Sequence, residues 1–177
     1  MIETPRLILR AWRDDDVAPF AAMGRDPRVM AYFPALLTAG EVAAQVARQR
    51  AMQQAIGHCF WAIERRSDRR FLGFCGIKPG AAGTPIEDAP EIGWRLARDH
   101  WAQGYAGEAA RASLEWAWAA TQWPSVWAIT VPANEPSRAL MERIGMSRVA
   151  DGDFDHPILP PGHRLRRHVT YRIDRPS

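Results

Sequence analysis

At 177 residues, 47% of them hydrophobic and 24% charged, the chain is long enough for one domain with a proper core and has the composition of an ordinary globular protein. No run of about 18 apolar residues occurs. The opening MIETPRLILR lacks an apolar signal core, and the two cysteines, Cys59 and Cys75, have neither disulfide-framework nor metal-ligand spacing. These observations exclude a membrane span and a cysteine-held metal, and they predict buried free thiols in the cytoplasm. The net charge of +3 comes from 23 basic and 20 acidic residues scattered along the chain, with Lys nearly absent. Only Arg164, Arg166 and Arg167 cluster, so the pI near 9.3 does not argue for nucleic acid as a partner.

Leu7, Ile8 and Leu9, with Arg10 and Trp12, read as a first strand entered through Pro5. Asp14, Asp15 and Asp16 cap a short helix to about Met23, and residues 26–32 read as another short helical piece stopped before Pro34. Thr38 and Glu41 form a capping box that opens a helix to about Ile56, ended by Gly57. Residues 60–63 and 71–77 read as antiparallel strands around a charged turn, followed by a Pro- and Gly-rich loop over 79–90. Residues 91–96 make the next strand and 126–131 a later, β-branched one. Between them the turn Trp101 to Gly107 leads into an Ala-rich helix reaching about Trp118. Asn134 caps a helix with Pro136 in its first turn, ending near Ile144 and Gly145. Strands over 146–153 and 167–173 close the chain, separated by a long Pro-rich loop. Strands outnumber helices, so the class is α/β with a mixed sheet and helices on both faces.

The turn before the Ala-rich helix is the first chemical signal. A helix start leaves backbone N–H groups without intrahelical partners, and the helix dipole adds positive potential there. Gly104, Ala106 and Gly107 let an anion approach closely, so the turn is a candidate phosphate or pyrophosphate site. It is neither GxGxxG nor GxxxxGK[ST], which argues against a nucleotide-binding oxidoreductase and a P-loop protein.

Four segments together resemble the GCN5-related N-acetyltransferase (GNAT) superfamily, and within it the RimJ/RimL-type branch that acetylates the N-termini of ribosomal proteins. They are Glu3 to Arg10 (ETPRLILR), Glu91 to Trp94 followed by Trp101 to Ala109 (EIGW, WAQGYAGEA), Asn134 to Met146 (NEPSRALMERIGM), and the tail from Phe154 to Pro157 and from His163 to Tyr171. The resemblance implies a single N-acetyltransferase domain over residues 1–177. Its fold would be a mixed, mostly antiparallel sheet of about seven strands with helices on both faces and a splay between the two central strands. It implies acetyl-CoA as cosubstrate, with backbone N–H groups of Gln103, Gly104, Tyr105, Ala106 and Gly107 on the pyrophosphate. It further implies that Trp94, Arg95 and Leu96 pair with the pantetheine arm and that Asn134 touches it. Two positions depart from the superfamily pattern. Trp101 replaces a frequent Arg or Gln, and Met141 stands where many members carry a proton-donating Tyr.

The implied reaction is direct attack of an amine on the thioester, which needs a neutral amine, a stabilised oxyanion and a proton for the thiolate. With Met141 silent, Ser137 is the candidate donor to sulfur, one helical turn after Asn134. Glu91 is the candidate base, acting directly or through water, with His156, His163 and His168 nearby in sequence to the tail loop. At pH 7 deprotonation costs an α-amine about 1.4 kcal/mol and a lysine about 4.6 kcal/mol, so an α-amine needs little help. The acceptor stays open among protein N-termini and small amines. The expectation is a monomer or homodimer without metal, nucleic acid or membrane partner. The alternative is a non-catalytic acyl-CoA sensor, supported by Met141.

Overall fold

The computed structural model describes residues 1–176. Its strands are β1 (Ile2–Glu3), β2 (Leu7–Arg10), β3 (Phe60–Arg65), β4 (Phe71–Pro79), β5 (Pro90–Leu96), β6 (Ser125–Thr130), β7 (Ser147–Arg148), β8 (Phe154–Asp155) and β9 (Arg167–Asp174). Its helices are α1 (Val17–Gly24), α2 (Ala39–Ile56), α3 (Tyr105–Ala120) and α4 (Glu135–Arg143). The sheet runs β1-β2-β3-β4-β5-β6-β9-β7, with β8 paired to β9 off that path. Every neighbouring pair is antiparallel except β5 with β6. The two strands beyond the expected seven, β1 and β8, are two residues long each.

Alternation along the strands sorts side chains to two faces. On one face Trp61, Ile63, Ile77, Ile92 and Leu96 pack against α3 and α4, where Ala109, Ala110 and Ala117 let the helix lie close to the sheet. On the other, Ala62, Phe71 and Phe74 meet Trp12, Phe20 and Met23 from the α1 region and Val42 and Val46 from α2. The local signals act as anticipated at three helix ends. Thr38 Oγ1 accepts from the Glu41 N–H, and Glu41 Oε2 accepts from the Thr38 N–H at 2.8 Å. Gly57 ends α2 in the left-handed region, and Asn134 Oδ1 accepts from the Ser137 N–H at the start of α4.

Three local expectations need correction. Residues 26–32 form turns rather than a helix, because the Asp26 carboxylate takes the Arg28 N–H at 2.8 Å in a side-chain turn. The 146–153 strand shrinks to Ser147–Arg148. Beyond it Asp151 adopts φ 57° and the Gly152 N–H bonds back to Val149, turning the chain. The three aspartates form a 3-10 turn before α1, and the buried Asp16 accepts the Arg13 N–H and pairs with Arg10 instead of serving the helix dipole.

Candidate active site

The parallel pair β5/β6 shares one register position, Glu91 with Trp127. Beyond it the strands part. The β5 edge from Gly93 to Leu96 is bonded to β4 on one side and faces an open wedge on the other. A main-chain edge inside a sheet is unpaired hydrogen-bonding capacity of the kind an amide-bearing ligand uses as an added strand.

The turn lies just past this wedge. A 3-10 turn, Arg98–His100, leads to Trp101, whose indole N–H donates to Leu96 O at 2.8 Å and holds the turn to the strand end. Ala102 and Gly104 both have positive φ, 56° and 81°, and α3 starts at Tyr105 with Gly104 as its cap. The helix thus begins three residues earlier than the sequence suggests. The backbone N–H groups of Gln103, Gly104, Tyr105, Ala106 and Gly107 donate to no acceptor among the described residues. The first intrahelical bond is Glu108 N–H to Gly104 O, at 3.0 Å. Five consecutive free donors at the positive end of a 16-residue helix form an anion cradle.

Glu108 braces this cradle. Its Oε1 accepts from Thr4 Oγ1 at 2.6 Å and from the Arg6 N–H at 3.0 Å, and its Oε2 accepts from Arg6 Nε at 2.6 Å. Arg6 then donates to Gln103 O at 3.0 Å and stacks 4.6 Å above the Tyr105 ring. Burial would raise the Glu108 carboxyl, but the hydrogen bonds from Thr4 and Arg6 hold it below the usual range. Two of the sequence segments, Thr4 to Arg6 and the Gly104 turn, are therefore one structural unit.

Asn134 donates from Nδ2 to Thr130 Oγ1 at 3.0 Å, fixing it at the end of β6 on the far side of the wedge. Ser137 is partly buried, and its hydroxyl makes no hydrogen bond among the described residues. Met141 is 2% exposed and belongs to the core against α3, so it contributes packing. Burial pushes both thiols up to about 12, which makes Cys59 and Cys75 inert.

On the α1/α2 face of β5 the side chains of Glu91 and Arg95 flank Gly93, whose missing Cβ leaves room for the Phe60 ring. Glu91 is bonded to Lys78 Nζ at 2.5 Å across the β4/β5 pair. Lys78 is the only lysine among the 23 basic residues. The loop between β8 and β9 crosses this face. Arg164 reaches Ala31 O at 3.2 Å, and Pro157 sits beside Gly83. His156 and His168 lie 4.9 Å apart, ring to ring. His168 Nδ1–H donates to Arg166 O at 3.1 Å, which fixes the tautomer and leaves Nε2 as an acceptor. Burial lowers both imidazoles. The His168 and Lys78 charges lower His156 further, whereas Glu91 pulls His168 back up. His163 Nδ1 accepts the Leu165 N–H at 3.1 Å, an internal brace of the loop. The structure thus gathers Glu91, Lys78, His156 and His168 on one face of the sheet, and Asn134 and Ser137 at the end of β6 and the start of α4.

The profile of the acetyltransferase (GNAT) domain family matches residues 6–147. The chain is 35% identical over 144 residues to the uncharacterized protein YkkB of Bacillus subtilis (strain 168), covering 81% of this chain and 83% of that one. Its backbone is similar to the crystal structure of a GNAT-family acetyltransferase from Bacillus anthracis, with TM-score 0.80, 25% identity and 98% of each chain covered. It also shares its fold with RimL, a ribosomal-protein α-N-acetyltransferase solved with coenzyme A, at TM-score 0.75 and 15% identity, over 97% of this chain and 95% of that one.

Proposed function

Since the chain belongs to the acetyltransferase (GNAT) family and is an N-acetyltransferase, we propose that it moves the acetyl group of acetyl-CoA to a primary amine by direct attack of the amine on the thioester. The observation that carries this reading is the row of free N–H donors from Gln103 to Gly107 at the mouth of the open wedge. The pyrophosphate fits the cradle, and the amide-bearing pantetheine arm fits the free edge at Trp94, Arg95 and Leu96, with Asn134 opposite. Acetyl-CoA then supplies the activated acyl group and the thiolate leaving group.

The protein's own groups supply the rest. An N–H on the free edge of β5 donates to the acetyl oxygen as negative charge develops on it. The Ser137 hydroxyl, free of internal bonds, donates to sulfur in place of the tyrosine that Met141 replaces. Glu91 takes the amine proton, directly or through water, and His168, with its Nε2 lone pair free and Glu91 on the same face, is the second group able to do so. The acceptor is a protein N-terminal α-amine, as in the RimJ/RimL-type branch, or a small-molecule amine. The enzyme is read as a single domain, monomer or homodimer, in the cytoplasm, in keeping with two free buried thiols.

The test is thiol release from acetyl-CoA across peptides, amino acids, polyamines and aminoglycosides, with coenzyme A binding followed by calorimetry. Gly104→Glu sets a carboxylate in the cradle at a left-handed position and should abolish coenzyme binding; undiminished binding would place the pyrophosphate elsewhere. Ser137→Ala should lower kcat while leaving the acetyl-CoA KM nearly unchanged; unaltered kcat removes Ser137 from the chemistry.

A further inference from the structure

Arg95 is a guanidinium without an anion. Its Cζ stands 3.7 Å from the Phe33 ring centroid and 5.3 Å from that of Phe74, so aromatic faces flank the cation. Cation–π contact of this kind engages the faces of the guanidinium and leaves its edge, where the five N–H donors lie. One donor points at the Met30 thioether, 3.4 Å away and a weak acceptor; the Nε–H is buried with no partner. No oxygen accepts from Arg95 among the described residues. The nearby carboxylates are committed, Glu91 to Lys78 at 2.5 Å and Asp26 to Arg98 at 3.6 Å. Burial alone pushes the guanidinium down to about 10, still charged at neutral pH. A second cation, Arg164, lies across the same segment, its Nη2 on Ala31 O, exposed and without a carboxylate partner among the described residues.

Position fixes what this cation can meet. Arg95 sits in the unpaired stretch of β5 that would hold the thioester arm, and its side chain leaves toward the α1/α2 face, on the same side as Glu91. A group bound to its edge would lie on the face of β5 that carries Glu91, the candidate base. Desolvated charges are costly unless paired, and a bidentate carboxylate matches the donors left free.

We propose that Arg95, assisted by Arg164, binds a carboxylate carried close to the amine of the acceptor, so that the acceptor class is an amino-carboxylate: a free amino acid, or a peptide whose first residue is acidic. The proposal rests on the acetyltransferase reading above and narrows it. Polyamines and aminoglycosides, which bring positive charge to this face, are disfavoured substrates.

The experiment uses matched acceptor pairs with purified full-length protein and acetyl-CoA, compared at equal concentrations of neutral amine. Free amino acids are set against their carboxamides, and peptides beginning Asp or Glu against those beginning Asn or Gln, so the two arms separate the two sources. The carboxylate member should win by about tenfold to a hundredfold in kcat/KM, the range of a charged hydrogen bond. Arg95→Met should bring the ratio to about one, Arg95→Lys should restore part of it, and Arg164→Met should reduce it to a lesser degree. A ratio near one in the wild type, or one that Arg95→Met leaves intact, overturns the proposal. Calorimetry separates this from failure of the parent reading. Loss of coenzyme A binding in the wild type would sink the acetyltransferase site, whereas N-acetyl amino acids binding no better than their amides, with coenzyme A bound, would sink only the carboxylate site.

Discussion

Two arginines on one face of the sheet, Arg10 buried and Arg95 half-buried, are solved in opposite ways. Arg10, at 6% exposure, donates to Glu64 at 2.6 Å and to both oxygens of Asp16 at 2.7 and 2.9 Å. Burial by itself would lower its pKa, but those hydrogen bonds and charges raise it. Arg95, on the same face of the sheet and in the same cross-strand row, is held by ring faces and a thioether, and its pKa falls. In the first region the chain supplies its own anions and the charge serves the fold. In the second the donors remain open beside the wedge, and the charge is available to a ligand. An uncompensated cation is thus a better pointer to function than a bonded one.

Breaking the first region should have the largest effect. Glu64, 1% exposed, also meets Arg13 at 3.0 Å and Arg69 at 2.6 Å, so Glu64→Ala strands several cations. The urea midpoint should shift by about 3–5 kcal/mol of lost stability; a loss under about 1 kcal/mol would mean the network is ornamental. An intermediate case is Glu108→Gln, which removes the anion of Arg6 at the cradle. It should cost about 1–2 kcal/mol and weaken coenzyme A binding in calorimetry. Equal coenzyme affinity would show that Glu108 serves only the fold. Arg95→Met sharpens the contrast by its sign. Thermal unfolding should show no loss, or a gain of up to about 1 kcal/mol, because a desolvated charge is removed; a marked drop would place Arg95 with Arg10 as a structural cation. The smallest effect concerns pH. His156 and His168 have folded pKa values below the unfolded value, about 6.5, chiefly through burial. On acidification the unfolded chain takes up protons first, so their contribution is complete above about pH 6.5 and declines as pH falls toward the folded values. His168→Gln should flatten that slope; an unaltered slope would assign it to other groups.

The parts of this fold that local chemistry dictates were legible. Thr38 and Glu41, Gly57, Asn134 with Pro136, and the β-branched run of β6 all marked their elements because capping and chain-breaking residues act within a few residues. The row of free donors at the turn was legible because free N–H groups follow from the start of any helix. Long-range pairing was not. That Glu108 binds Thr4 and Arg6, or that Arg95 lies between Phe33 and Phe74, depends on segments brought together only by the sheet order. Glu91 was singled out as a base from its place on a central strand, while its bond to Lys78 follows from the β4/β5 register, which no local pattern states. Residues 26–32 depart from the helical reading because Asp26 spends its carboxylate on a turn.

The single register position joining β5 to β6 has one more consequence. Across its middle the sheet is fastened by one rung, so β1 to β5 and β6 to β9 are two half-sheets that share few main-chain bonds. A coenzyme lying in the wedge would act as a splint between them, giving β5 the partner that β6 withholds. Melting temperature should then climb with acetyl-CoA concentration, by RT ln(1 + [L]/Kd) in free energy. Hydrogen exchange along β5 and β6 should slow together. The cosubstrate would also be a keystone of the fold, and the lifetime of the protein in the cell would follow the supply of its own donor.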